Sequence, residues 1–489
     1  MTILGANDPF APDVVAAVRQ AAEAVPKRSR AGLFSLLTGS PVETILAPLV
    51  GLYLGFAVVR LPEVFQAIAI PHLPMILMLI FIAILGFAIP AGAWALVWER
   101  AKALRIVAGL VVVAIVTAPL GIWPSESLQF LREHYAVSVI LFVTCLVLLR
   151  DRRNFRTAVT IYVLCSATVC VNVLHTYDPD VVLDEDGNQI DPDILAARPE
   201  LRRLASVGVS LDSNDFGAIL ATTFPLALWL SVGSFRRRVF WTGIAGLMVA
   251  AVVPTQSRGS ELGFVAVAAV IVTVGARGWR RWMSTALIVG CVGLFVMMAS
   301  GIGAGGRFSD FGAEDYNIAG NEGRMFFWRQ GFVWMLKRPW GYGIANFPTY
   351  FGMLNGPERA AHSSWVQYGM ELGIAGLALF VTLCVGLVKG LRQLRKLAAA
   401  LRERHPAAKD EEILAGHMLA MLAGVLVTGS FLSNAYYPLM YMALGMAGAT
   451  LLGSPLTEHL PAPHPAPAAP GHPRARRRLR SFPGQTPAD

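Results

Sequence analysis

Three side chains in this sequence have types and settings suited to moving charge: His362, Arg258 and Arg324. An imidazole can take up a proton near neutral pH. A guanidinium fork matches two phosphate oxygens at once. Two such forks beside a histidine would make a diphosphate site with a base at its edge. His362 stands just before the apolar part of AAHSSWVQYGMELGIAGLALFV, where a helix N-terminus attracts anions. Each residue also has a plainer reading. A lone histidine at a helix start is more often structural, Arg258 in PTQSRGSELGF could snorkel from a helix end, and Arg324 in NEGRMFFWRQGFVWMLKRP could anchor an interfacial amphipathic helix.

Which reading holds depends on the elements that carry these residues. The chain has 489 residues, of which 55% are hydrophobic and 15% charged, with a mean hydropathy of +0.54. That balance describes a polytopic membrane protein. The apolar runs are long and do not alternate, so they predict helices and exclude barrel strands. Twelve segments are long and apolar enough to span: 42–59, 73–90, 104–121, 135–149, 157–174, 214–232, 239–253, 260–276, 284–301, 366–388, 413–432 and 436–453. Basic residues fall in every second connection, in the clusters around Lys27–Arg30, Arg100–Arg105, Arg150–Arg156, Arg236–Arg238, Arg277–Arg281 and Lys389–Lys409. By the positive-inside rule both termini are then cytoplasmic.

This topology divides the chain into a cytoplasmic segment 1–40, five amino-terminal helices within 41–174, an acidic outer loop 175–213, a helical core reaching residue 453 with a second large outer loop at 302–365, and a Pro/Arg-rich tail 454–489 expected to be disordered. The first forty residues are too polar for a signal-peptide core. The net charge of +9 is spread over the alternating clusters, so orientation explains it and no nucleic-acid partner is expected. Cys145, Cys165, Cys170, Cys291 and Cys384 lie in apolar segments without a CxxC pair and read as packing residues. DPDVVLDEDGNQIDPD lacks the glycine and terminal glutamate of a calcium loop. Gly301, Gly303 and Gly306 match GxGxxG but end an apolar helix and follow no strand. No metal site and no cofactor are therefore expected.

Polar residues without compensation gather at the outer helix ends, which places a site at the outer membrane surface, open to polar groups from outside and to lipid from the bilayer. There the residues resemble a family. His362, Ser363, nine residues, Gly373, two residues and Gly376 look like the H-[NSQ]-x9-G-x-x-[GTY] signature of the bacterial O-antigen ligases and related O-antigen polymerases. GYGIANF resembles that family's approach to the histidine, and SRG at 257–259, Arg324 with Trp328, and SNDFGAILATTFPLAL at 213–228 are similar to its membrane core. The resemblance covers roughly 205–453.

It implies an all-helical, metal-independent membrane glycosyltransferase of the bacterial inner membrane. Such a protein takes glycan from an undecaprenyl-diphosphate carrier and passes it, on the periplasmic side, to a glycan, lipid A-core or protein acceptor. On this resemblance His362 is the catalytic histidine, and Arg258 and Arg324 hold the diphosphate. Arg329, Arg338, Asn346, Ser363 and Asn214 are weaker candidates from the same motifs. Twelve spans with both termini inside also suit a transporter or flippase of lipid-linked saccharides. The long outer loops and the lack of charge pairs within the spans favour the enzyme.

Overall fold

Apolar runs with no water to bond must satisfy their backbone internally, and helices dominate the residues that the computed structural model describes: 41–65, 68, 70, 72–87, 91–178, 191, 206–207, 211–275, 324–356 and 358–456. The first part contains α1 (Pro41–Ala57), a short α2 (Leu61–Val64), α3 (Leu73–Phe87), α4 (Ala91–Arg100), α5 (Lys102–Thr117), α6 (Pro124–Phe130), α7 (Ala136–Leu148) and α8 (Arg152–Thr176). A π turn at Leu131–Tyr135 runs α6 into α7. A two-residue antiparallel pair, Ser206–Val207 with Leu211–Asp212, precedes α9 (Ser213–Leu230). Then follow α10 (Phe235–Val252), α11 (Arg258–Gly275), α12 (Arg324–Lys337), α13 (Phe347–Asn355), α14 (Ser364–Glu371), α15 (Gly373–Ala400), α16 (Ala408–Gly429) and α17 (Pro438–Leu452).

Eleven of the twelve predicted segments fall on these helices. The twelfth, 284–301, lies outside the described residues, as do residues 1–40, 276–323 and 457–489 with Cys291, and most of the acidic loop. Among the described residues, five helical stretches are long and apolar enough to cross a membrane: Pro124–Leu148, Arg152–Thr176, Phe235–Thr255, Gly373–Ala400 and Ala408–Gly429.

α16 forms the centre, with α9, α11, α15 and α17 packed around it, while α7 packs on α17 and α8 on α1. Pro225 inside α9 removes the donor that Ala221 O would otherwise receive. Gly424 of α16 lies against that carbonyl, where a Cβ would stand 2.8 Å from the oxygen. Small residues thus bring the two helices together where packing, not water exclusion, drives association.

At one end of the bundle Arg152 holds Glu411 through Nε at 2.5 Å and donates to Thr450 O at 2.8 Å. Arg395 reaches Val274 O at 2.6 Å at the same end. The opposite end gathers the starts of α9, α11, α14 and α17.

One predicted span is divided. The segment 366–388 is two helices, α14 and α15, that break at Leu372. In an unbroken helix Met370 O would accept from Ile374 N–H and Glu371 O from the N–H of residue 375. Instead the Gly-rich turn 339–347 inserts: Tyr342 N–H donates to Met370 O and Gly343 N–H to Glu371 O, both at 3.0 Å, and Ile374 N–H donates to Pro339 O at 2.9 Å. The turn takes over the helix's hydrogen bonds, so none of these groups is left unpaired.

Candidate active site

The site is built where helices begin. Asp212 caps α9, its Oδ1 accepting from Asn214 N–H at 2.9 Å. A 3-10 turn at Val253–Thr255 and a left-handed Gln256, with φ of 47°, reverse the chain into α11. Ser260 of α11 donates to Asn214 O of α9 at 3.3 Å. The two starts come this close because Gly217 has no side chain: a Cβ there would lie 2.3 Å from Ser260 Oγ.

The connection between α16 and α17, residues 430–437, joins these to α14. Ser364 Oγ donates to Leu432 O at 2.9 Å and accepts from Asn434 N–H at 3.1 Å. Trp365 Nε1 donates to Ser430 Oγ and Tyr368 OH to Ala435 O, each at 2.9 Å. Tyr368 continues through Tyr441 to Tyr135 in a buried chain of phenols with 2.9 Å links. The Asn434 side chain bonds Asp215 on the first turn of α9. Four helix N-termini, each the positive end of a helix dipole, are therefore tied into one region.

His362 sits among them in the left-handed conformation, with φ of 48°. Its N–H donates to Ser433 Oγ at 2.9 Å, and its carbonyl accepts from Trp328 Nε1 at 3.3 Å. The imidazole lies against Phe327, ring centres 5.9 Å apart. Burial, then the nearby charge of Arg324, push its pKa down to about 4; Asp212 pulls the other way and Arg359 adds to the depression. The ring is therefore neutral at neutral pH and able to accept a proton.

Arg324, half-buried at the start of α12, thus acts on the imidazole directly. Arg258 is half-buried at the start of α11; its neighbour Gly259 packs on Phe431, where a Cβ would be 3.2 Å from Phe431 Cβ, and the Phe431 ring is 6.0 Å from Trp328. Asn214 is occupied with the Asp212 carboxylate. Ser363 is buried and extended at the cap of α14, next to the histidine. Arg329 is exposed on α12.

Two weaker candidates, Arg338 and Asn346, lie in the turn at 339–347 and its approach. Arg338 donates to Leu120 O and lies over the rings of Trp340 and Tyr342 at 6.0 and 5.4 Å. Asn346 is fully buried, accepting from Trp123 N–H at 3.1 Å and donating to Ser127 Oγ at 3.2 Å. Both tie the turn to the amino-terminal helices.

Sequence reasoning missed Ser433, Asn434, Arg359 and Asp212. A polar and aromatic run, SNAYYP, in so short a connection between apolar helices was the available signal for the first two, and PERAAH, with a cation three residues before the histidine, for the third. Arg60 was missed as well. It has φ of 58°, pairs with Glu63 at 2.6 Å, and its charge acts on Asp215. The amino-terminal half therefore reaches the site.

Apolar helices packed in a bundle, with a histidine and Arg324 near the helix starts at one end, describe a membrane protein with a polar cluster at its edge. Residues 243–381 match the family model described as O-Antigen ligase, and this supports assignment of the chain to the O-antigen ligase and polymerase family. The matched stretch holds Arg258, Arg324 and His362 and stops short of Ser433. A comparison with curated proteins finds no match. The family and the apolar helices point to a bacterial membrane protein, and the family to a glycan-transferring enzyme.

Proposed function

We propose that the protein is an inner-membrane glycosyltransferase that moves glycan from an undecaprenyl-diphosphate carrier to a hydroxyl acceptor on the periplasmic face, without a metal. The observation that carries this reading is the placement of His362 beside the converging helix starts, bonded to Ser433 and Trp328 and near the charge of Arg324, within the stretch that matches the family model. In the reaction His362 takes the proton of the acceptor hydroxyl while its oxygen attacks the anomeric carbon. The bond from that carbon to the diphosphate oxygen breaks, and lipid diphosphate leaves as an anion. The proton then passes from the imidazole to solvent.

Arg258 and Arg324 oppose the growing charge on the leaving group, in place of a metal ion. Preorganised contacts of this kind are worth roughly 10²–10³ in rate each. The donor also prepares its own base. Arg324 and Arg359 depress the proton affinity of the free imidazole. A bound diphosphate would offset their charge and raise that affinity as the acceptor arrives. The activated phosphoester supplies the driving force, so no nucleotide is consumed.

Deleting the gene and analysing lipid-linked and finished glycans tests the reading. Loss of a ligase leaves long chains on the carrier, loss of a polymerase leaves single repeat units there, and unchanged carrier-linked and finished glycans would refute both. Transfer by the purified protein should survive a chelator. Arg258→Lys keeps the charge but not the fork, and we expect transfer to fall about 10²-fold, measured as turnover of a labelled lipid-linked donor. Equal turnover would remove Arg258 from the diphosphate site.

A further inference from the structure

From the bonds on both sides of His362 we infer that Ser433 and Trp328 are positioning residues, which hold the two peptide groups of the histidine and so fix the aim of its imidazole. This rests on the reading of His362 as the base. A non-glycine residue with φ of 48° is in a sparsely populated conformation that persists only when its surroundings enforce it. Here the enforcement is visible. The His362 N–H is bonded by Ser433 Oγ at 2.9 Å, and its carbonyl by Trp328 Nε1 at 3.3 Å.

The two clamps come from different parts of the fold, Ser433 from the connection between α16 and α17 and Trp328 from α12. Each is itself held. The connection is pinned by Ser364, Trp365 and Tyr368 of α14. The Trp328 ring rests on Phe431 of the same connection, with ring centres 6.0 Å apart. With both bonds made, the ring of His362 is pressed toward Phe327 and under the charge of Arg324. With either bond lost, the residue can relax to a commoner backbone conformation, which swings the imidazole away from the acceptor. Misplacement of about 1 Å costs on the order of 10²-fold in a reaction that depends on orientation.

The test uses full-length protein in lipid nanodiscs with a fluorescent undecaprenyl-diphosphate-linked oligosaccharide, comparing Ser433→Ala, Ser433→Thr, Trp328→Phe and His362→Ala. We expect Ser433→Ala to lower kcat by about 10- to 100-fold with donor KM within about twofold, and Ser433→Thr, which keeps the hydroxyl, to recover most of it. Trp328→Phe, which keeps a ring on Phe431 and removes the N–H, should show the same split. The acid limb of kcat/KM should also move in Ser433→Ala from about 4 toward the ordinary imidazole value of 6.5, because the freed ring leaves its buried place. A looser bundle that admits water would move that limb too, so recovery of both kcat and limb in Ser433→Thr is what assigns the effect to the lost bond. Wild-type kcat and limb in both Ser433→Ala and Trp328→Phe, or a Ser433→Thr as slow as the alanine variant, would overturn the inference while His362→Ala stayed inactive. Transfer retained by His362→Ala would overturn the reading of the base itself, and the positioning role with it.

Discussion

His362→Ala should abolish glycan transfer while the protein still accumulates in the membrane, with turnover of a labelled lipid-linked donor down by at least about 10³-fold. General-base catalysis alone is worth roughly 10²–10⁴, and here the same side chain also packs against Phe327. His362→Gln separates the two effects, since it keeps polar bulk and removes the base. Both variants should be equally slow, and an active glutamine variant would mean that the residue orients the acceptor without taking its proton.

The wild-type pH profile carries a sign that follows from the environment of the ring. The base must be unprotonated, so activity is lost as pH falls. For the free enzyme, reported by kcat/KM, that loss is centred near the depressed value of about 4. In the donor complex, reported by kcat, the diphosphate offsets Arg324 and Arg359, and the limb should lie higher. Two coincident limbs would mean that the donor's charge does not reach the imidazole. The same depression links to stability. Between about 4 and the unfolded value of 6.5 the unfolded chain binds more protons than the folded one, so stability rises with pH across that window. His362→Gln should flatten this rise, as read from thermal unfolding at a series of pH values.

The sequence carried the helices well because lipid leaves a backbone few options. Eleven apolar segments are helices because lipid forces their backbone to bond internally, and His362 stands just before a helix start as its sequence setting implied. What it could not carry is what distant segments do to one another. The division of 366–388 depends on hydrogen bonds taken by the turn at 339–347, and nothing within WVQYGMELGIAG reveals that donor. Asn346 and Arg338 bond Trp123, Ser127 and Leu120, partners more than two hundred residues away that the local sequence does not announce. Ser433 and Asp212 lie 71 and 150 residues from the histidine, in segments whose composition suggested only a turn and a cap. Periodicity finds the walls of such a site; the polar groups that close it come from turns, where periodicity says nothing.

The second large effect belongs to a residue with no chemistry of its own. Gly373→Ala should prevent stable folding, seen as loss of membrane-inserted protein and of any cooperative thermal transition. Gly373 has φ of 69°, which an alanine adopts only with strain. A Cβ at that position would also stand 2.2 Å from Pro339 O and 2.7 Å from Trp340 C, both backbone atoms of the inserted turn. No rotamer change relieves a clash of backbone with Cβ. To make room the turn must withdraw, and Tyr342 N–H, Gly343 N–H and Ile374 N–H then lose their partners together. At about 1–3 kcal/mol for each buried group left unpaired, added to the strain, the change is of the order of a whole domain's stability.

Gly386→Ala is the matched control on the same helix. It has nothing within 4 Å of its added Cβ, and we expect it to be neutral or slightly stabilising. If Gly373→Ala melted like Gly386→Ala, the turn would not be held in the helix break. His362, which follows that turn and precedes the break, would then owe its position to the α16–α17 connection and to Trp328 and Phe327 of α12.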